Sequence, residues 1–392
     1  MIRILIQIVP ALPPAANGVG DYALAVGCAL RRDFGLDTLF VVGNERWQGP
    51  EEVEGFRVRR VAARSANNLA EILDAAGAKS ESASVLLQLS GYGYSTRGCP
   101  TWLLQGLRRW RAKQPDPRLV TMFHELYASG PPWSSAFWMR PAQKMVIERI
   151  ARRSDVALTN MQLYRELLER CDASKRGKIS ALAIPSNVGE PYGPPELKAR
   201  APKMIVFGRA ALRKLTYEGQ MAALERACER LGITEVHDVG AAMDGIPERV
   251  GGCRITRHGQ ISASELSFLL SDSVAGFLSY PRAFLAKSGV FAAYCAHRLV
   301  PVLPETAEDR RPDADGIEGG VHYLGVVAQS EAGVPAPNPQ SIADDAWKWY
   351  QGHSLKSHAR AFAGAVGMAG EPTAHETLET PTLLQRQEHS GK

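Results

Sequence analysis

Strand-like and helix-like runs alternate along most of this chain, and they do so twice. That rhythm constrains the fold more than any other feature, because it calls for parallel sheets covered by helices rather than a sandwich or a bundle. In the first half, apolar runs at 2–9, 38–42, 85–89, 119–123 and 156–159 are separated by helical patterns, clearest over 102–113, 142–153 and 161–171. A Pro/Gly-rich stretch at 185–195 then interrupts the pattern with residues unable to extend a helix or a central strand. The rhythm restarts with strands expected at 204–207, 236–239, 274–278 and 299–303, and helices at 217–231, at 264–270 and beginning near Ser288. At 392 residues the chain exceeds the usual reach of one hydrophobic core. The expected organisation is an N-terminal domain over 1–195, a second over 200–345, a helical segment over 346–365 and a frayed polar tail over 366–392.

Several function classes fall away at this stage. No apolar stretch approaches the roughly 20 residues that a membrane-spanning helix requires. The opening run at 1–9 is short, β-branched and followed by prolines, so it reads as a buried first strand rather than a signal peptide. Six scattered cysteines form no C-x-x-C pair, which fits free thiols in a reducing cytoplasm. The net charge of +5 is uneven: residues 1–200 carry 27 basic and 19 acidic side chains (+8), the remainder 19 and 22 (−3). A basic first half suits an anionic surface or acceptor, and equally a solvated face with no partner.

Four segments place polar chemistry where such an architecture makes it available. Gly18-Val19-Gly20-Asp21-Tyr22-Ala23 fits the G-x-G-x-x-G/A dinucleotide pattern. Residues 10–17 separate it from the first strand, however, and Phe40-Val41-Val42-Gly43 offers no acid for a ribose. A glycine turn opening a helix still suits a phosphate, since unpaired N–H groups and the helix dipole attract anions. A purely structural turn is the alternative, and a nicotinamide-dependent oxidoreductase is the reading that takes the pattern literally.

Phe207-Gly208-Arg209-Ala210-Ala211-Leu212-Arg213-Lys214 follows the first strand of the second half, where an open parallel sheet places ligands. The planar fork of Arg209 and the mobile charge of Lys214 suit a diphosphate; two solvated cations are the other reading. Lys287-Ser288-Gly289-Val290 opens a later helix, with Ser288 as N-cap and Gly289 permitting close backbone approach. Two such elements on neighbouring loops favour a nucleotide diphosphate. His124-Glu125 ends the strand at 119–123, and His124 is either a sugar-contacting group or structural. His237, His258 and His297 lack comparable context and read as structural. Asp313-Ala314-Asp315 resembles a D-x-D metal site only superficially, for want of a third ligand. Neither a metal nor a cofactor is expected.

In order and spacing, Asn17-Gly18-Val19-Gly20-Asp21-Tyr22, Phe123-His124-Glu125, Phe207-Gly208-Arg209 with Lys214, and Lys287-Ser288-Gly289-Val290 leading to Val300-Pro301-Val302 resemble the family-4 retaining glycosyltransferases. That resemblance covers residues 1–365. It implies the GT-B fold, two Rossmann-like α/β domains whose parallel sheets face across a cleft, the first on the acceptor side and the second binding a nucleotide sugar. Arg209, Lys214 and 287–290 would hold the donor diphosphate, His124 would lie beside the donor sugar as the catalytic-site group, and Gly18, Val19, Gly20 and Asp21 would close over it. The implied reaction moves a hexose from a UDP- or GDP-sugar to a glycan or lipid-linked acceptor, with retention and without an essential metal. The implied setting is cytoplasmic, with peripheral contact at the inner membrane face through the basic first half and no nucleic-acid partner.

One departure stands out. Members of that family commonly carry two glutamates eight positions apart, and alignment on Gly289 and Pro301 puts Ala286 and Tyr294 there. Either Lys287 and backbone groups hold the donor in an active divergent branch, or the chain is a non-catalytic GT-B-like partner in glycan assembly.

Overall fold

A computed structural model of the chain describes residues 4–15, 17–77, 84–128, 130–305, 315–327 and 337–368. They form two compact units, the first ending at Leu182 and regaining the chain from Leu355, the second spanning Ala183–Ser354.

The first unit contains β1 (Ile4–Val9), α1 (Gly18–Phe34), β2 (Asp37–Val42), β3 (Glu52–Val53), β4 (Phe56–Arg60), α2 (Ala66–Gly77), β5 (Ser84–Leu89), α3 (Gly91–Tyr94), α4 (Thr101–Lys113), β6 (Arg118–Phe123), α5 (Ser135–Arg153), β7 (Val156–Thr159), α6 (Gln162–Cys171) and β8 (Ser180–Ala181). Its sheet order is β3-β4-β2-β1-β5-β6-β7-β8, parallel throughout except for the β3–β4 pair. Strands such as β5, buried at every residue, are near-continuous apolar runs because helices cover both faces. One side of the sheet buries Leu69, Leu103, Trp110, Val146 and Ile150, the other Val26, Leu30, Leu86 and Met122.

The second unit contains β9 (Ala201–Phe207), α7 (Ala210–Lys214), α8 (Met221–Leu231), β10 (Glu235–Val239), β11 (Arg249–Val250), β12 (Cys253–Gly259), α9 (Ala263–Ser271), β13 (Ser273–Phe277), α10 (Gly289–Ala296), β14 (Val300–Pro304), β15 (Leu324–Val326) and α11 (Pro339–Gln351). The order is β11-β12-β10-β9-β13-β14-β15, again parallel except at the edge hairpin β11–β12. Each sheet therefore reverses direction of growth beside its first strand, between β1 and β5 and between β9 and β13. In open parallel sheets the crevice beyond the strand ends at that reversal is where ligands bind.

Two expected boundaries move. The first unit ends at Leu182, before the Pro/Gly-rich stretch, and that stretch belongs to the second unit. It is irregular but anchored: the Ile184 N–H donates to Ala286 O, and the Ser186 N–H donates to the Tyr350 hydroxyl. The helical segment expected over 346–365 is two helices, α11 and then α12 (Leu355–Ala365), broken at Gly352-His353-Ser354. The second helix packs on α1, burying Ala359, Phe362 and Ala363 in the first unit. Residues 369–392, most of the expected tail, and Asp313 lie outside the described residues. All six cysteines are unpaired. Among the described residues no helix is long and apolar enough to cross a membrane.

Candidate functional site

In the second unit the polar residues expected to bind a diphosphate sit at the reversal between β9 and β13. Strand β9 ends at Phe207 and the chain turns at Gly208, whose φ of +127° lies where side-chain-bearing residues rarely go. A Cβ there would lie 3.3 Å from Val290 Cγ2, so the loop after β9 touches the first turn of α10. A second tie is the 2.9 Å hydrogen bond between the hydroxyls of Thr216 and Ser279. The structure thus brings the Gly208-Arg209 loop and the 287–290 segment together.

Arg209 occupies the N-cap position of α7 and is exposed, as is Lys214 at the end of that helix. Lys214 Nζ lies 3.5 Å from Glu218 Oε1, an open i,i+4 pair that holds it weakly. A π-helical turn, Leu215–Gly219, follows. Arg213, between the two cations, does something else. It is buried, with Nη1 3.2 Å from Asp238 Oδ1 and Nη2 donating to Ala241 O, while the Tyr217 hydroxyl donates to Asp238 Oδ2. Desolvation raises the Asp238 carboxyl above its ordinary range, opposed by Tyr217 and Arg213. Gly240 makes room for this cluster, since a Cβ on it would lie 2.6 Å from both Arg213 Nη1 and Gly208 O. Sequence reasoning passed over Arg213; its burial depends on Asp238, which lies on another strand.

Ser288 is buried and caps α10, its Oγ accepting from the Phe291 N–H at 3.2 Å. Lys287 is half-buried at the end of the 3₁₀ turn Arg282–Lys287. Asn187, missed because it lies in the Pro/Gly stretch, stands beside the helix start: a Cβ on Gly289 would be 3.3 Å from its Oδ1. Ala286 and Tyr294 are both buried. The Tyr294 hydroxyl lies 3.0 Å from Ile205 O and 3.1 Å from Phe277 O, and its ring covers Gly276, where a Cβ would clash at 2.2 Å. Burial raises the phenol's pKa. At this position the chain carries a core strut, not a group facing a ligand.

In the first unit α1 begins at Gly18 and is capped by Asn17, whose Oδ1 accepts from the Gly20 N–H at 2.9 Å. Gly20 has a steric reason to be glycine, because its Cβ would lie 2.0 Å from Ala11 O; Gly18 has nothing within 4 Å. Val19 is half-buried. Asp21, in the first helical turn and exposed at its edge, has its carboxyl pushed up to about 6 by desolvation. His124 lies at the end of β6, only 6% exposed. Its Nε2 lies 2.8 Å from Gln88 Oε1, and Gln88 Nε2 donates to Gln7 Oε1 at 3.1 Å. With the amide nitrogen of Gln88 turned to Gln7, its oxygen must accept, so the neutral His124 ring carries its proton on Nε2. The Tyr22 ring meets His124 edge-on at 4.9 Å, and the Tyr22 hydroxyl bonds His358 Nδ1 at 2.7 Å. Gln7, Gln88 and His124 come from three parallel strands, β1, β5 and the end of β6, a convergence no local motif announces.

The remaining histidines are structural. His237 stacks on His258 with a 2.7 Å ring-nitrogen contact, and His297 bonds Ser267 Oγ from within the core, where burial pushes it down to about 4.

Comparison with known proteins is decided by three-dimensional similarity alone. No family model matches the sequence, and no curated protein is a significant match. The chain is similar in structure to an α,α-trehalose 6-phosphate synthase from Burkholderia multivorans, with TM-score 0.55 and 12% identity, covering 93% of this chain and 96% of that one. It is similar to an α-glucosyltransferase in complex with UDP at TM-score 0.54 and 13% identity, covering 93% and 99%. A lipopolysaccharide outer core galactosyltransferase gives TM-score 0.54 and 9% identity, again covering 93% and 99%. The chain has the GT-B fold. Near-complete coverage of both partners means that the likeness spans both α/β units. Identities this low carry the architecture and not the chemistry.

Proposed function

We propose that this GT-B chain is a glycosyltransferase that moves a hexose from a UDP- or GDP-sugar to a glycan or lipid-linked acceptor, with retention and without an essential metal. The observation that carries the reading is the joined pair of loops at the β9/β13 reversal, where Gly208 meets Val290 and the exposed Arg209 and Lys214 share the sheet end with Lys287 and the N-terminus of α10. Negative charge grows on a leaving diphosphate as the glycosidic bond breaks. Preorganised cations and helix N–H groups stabilise that charge without reorganising during the reaction. In this reading His124, with its proton held on Nε2 by Gln88, presents Nδ1 as the acceptor nitrogen. Gly18, which has no steric need to be glycine, leaves backbone open to an anion. The two UDP-linked and lipopolysaccharide neighbours support the donor and acceptor classes by analogy of fold.

Isothermal titration with UDP and GDP tests the proposal. Binding of either, lost on Arg209→Ala, is the expected result, whereas no heat and no thermal shift with either nucleotide at millimolar concentration removes its main support.

The burial of Tyr294 and Ala286 favours a second reading, a GT-B-like protein that partners a glycan assembly enzyme without turnover. Slow hydrolysis of a bound nucleotide sugar by purified protein counts against it; copurification with another transferase and no hydrolysis favours it.

A further inference from the structure

Helix α5 and the turn before it present a surface that neither the core nor the nucleotide reading uses. Trp133 is 87% exposed and Trp138 72%, and Phe137 and Met145 are exposed beside them. Continuing at helical spacing toward the C-terminus, the same stripe becomes basic through Lys144, Arg149 and Arg152. The helix holds five basic residues against the single acid Glu148, which lies 3.8 Å from both Lys144 and Arg152.

The stripe is not a misplaced core face. The opposite side of α5 is fully used, burying Val146, Ile147, Ile150 and Ala151. Buried Gln143 fixes the helix by donating to Arg97 O at 2.9 Å and the Tyr92 hydroxyl at 3.0 Å and accepting from the Ala128 N–H at 2.8 Å. Ser134 caps the helix and locks the turn carrying Trp133, its Oγ donating to Pro131 O at 2.7 Å. The aromatic side chains therefore stand on a rigid platform.

We propose that this face docks on an anionic phospholipid bilayer, Trp133, Phe137 and Trp138 entering the headgroup layer while Lys144, Arg149 and Arg152 meet lipid phosphates. Indole rings combine an apolar body with one N–H donor, which suits the bilayer interface, and cations on the same helix supply the second attraction that stable peripheral binding needs. Charge argues against a second copy of the chain: isologous pairing of the stripe would set its cations against each other, and interface cores are depleted of charge. The inference does not rest on the proposed transferase activity, since it uses none of those residues.

Flotation of the full chain with vesicles of phosphatidylcholine alone, and of an equal mixture with phosphatidylglycerol, provides the test. The expected result is at least about tenfold stronger partition to the anionic vesicles, with a blue shift of tryptophan emission, weakening as salt shortens the screening length from about 10 Å at 0.1 M to about 3 Å at 1 M. Trp133→Ser with Trp138→Ser should cut partition at least about tenfold while leaving the melting temperature unchanged. Lys144→Gln with Arg149→Gln should remove most of the salt dependence. Equal partition to both vesicles, unaltered binding by the tryptophan double variant, or a solution dimer that this variant dissolves would overturn the proposal.

Discussion

Replacing Tyr294 by glutamate restores the carboxylate that related transferases carry at the aligned position, and here it should damage the fold rather than improve donor binding. A tyrosine buries roughly 150–250 Å², which at about 25 cal/mol/Å² contributes about 4–6 kcal/mol. Glutamate recovers about 1.6 kcal/mol of that through two methylenes. It also brings a carboxyl to a fully buried place whose nearest polar atoms, Ile205 O and Phe277 O, are acceptors that repel it. The carboxyl must therefore protonate or stay unpaired, a further cost of about 1–3 kcal/mol even for the neutral group. The sum, about 4 kcal/mol or more, is a large share of the 5–15 kcal/mol that typically holds a domain together. Tyr294→Phe isolates the hydroxyl and should cost about 1 kcal/mol, lowering the melting temperature of a unit this size by about 2–4 °C. Thermal melts and titration with UDP-glucose read both variants. A Glu variant that melts like the parent and binds the donor tenfold more tightly would refute the assignment of Tyr294 to the core.

Three other perturbations follow from the same geometry. Lys214→Ala should weaken UDP or GDP binding at least tenfold, about 1.4 kcal/mol, with little change in stability because its pair with Glu218 is exposed; an unchanged dissociation constant moves the phosphate site elsewhere. Gly20→Ala places a Cβ 2.0 Å from Ala11 O and should destabilise the first unit by about 1–3 kcal/mol, whereas Gly18→Ala, with open space around it, should leave the melting temperature alone and, under the proposed function, reduce nucleotide binding. The Asp21 carboxyl is pushed up to about 6 from 3.8, so the folded chain binds that proton more tightly than the unfolded one. Its contribution is fully present below pH 3.8 and lost as pH rises through about 6; Asp21→Asn should remove that segment of the stability–pH curve, and a curve identical to the parent's would show the carboxyl to be unperturbed.

The fold was legible because its signals are local. Burial of both sheet faces makes β5 and β6 continuous apolar runs, and capping chemistry marks the start of α10 at Ser288. Strand β4 escaped because Phe56-Arg57-Val58-Arg59-Arg60 alternates buried and charged residues over only five positions. The early turns of α5 escaped because exposed Trp138 and Pro141 interrupt the helical pattern. A Pro/Gly-rich stretch reports irregular backbone, not the line where contacts thin out, so the boundary was misread by the length of a segment that packs against α10 and α11. The site was legible only in part. Arg209, Lys214 and 287–290 sit on loops that the alternation itself locates, but the partners of His124 and the burial of Arg213 depend on neighbouring strands, and sequence distance hides them.

Tyr294 also gains meaning from its counterpart in the other unit. Tyr94 is fully buried and its hydroxyl lies 3.0 Å from Ile8 O and 2.9 Å from Gln88 O, one carbonyl from β1 and one from β5. Tyr294 does the same for Ile205 of β9 and Phe277 of β13. Each tyrosine thus bridges the two strands that flank its sheet's reversal, although the two halves share no sequence motif. At a reversal the covering helices leave toward opposite faces, and carbonyls near the strand ends need a donor from elsewhere. A phenol from the adjoining helix supplies it and fills the space, in the second unit with Gly276 cut back to admit the ring. In this chain the position that would hold a donor hydroxyl has become part of the frame that keeps the diphosphate loops in place. Under the proposed function, affinity for a nucleotide sugar then comes from the diphosphate end, and the sugar is selected by groups other than a carboxylate on α10.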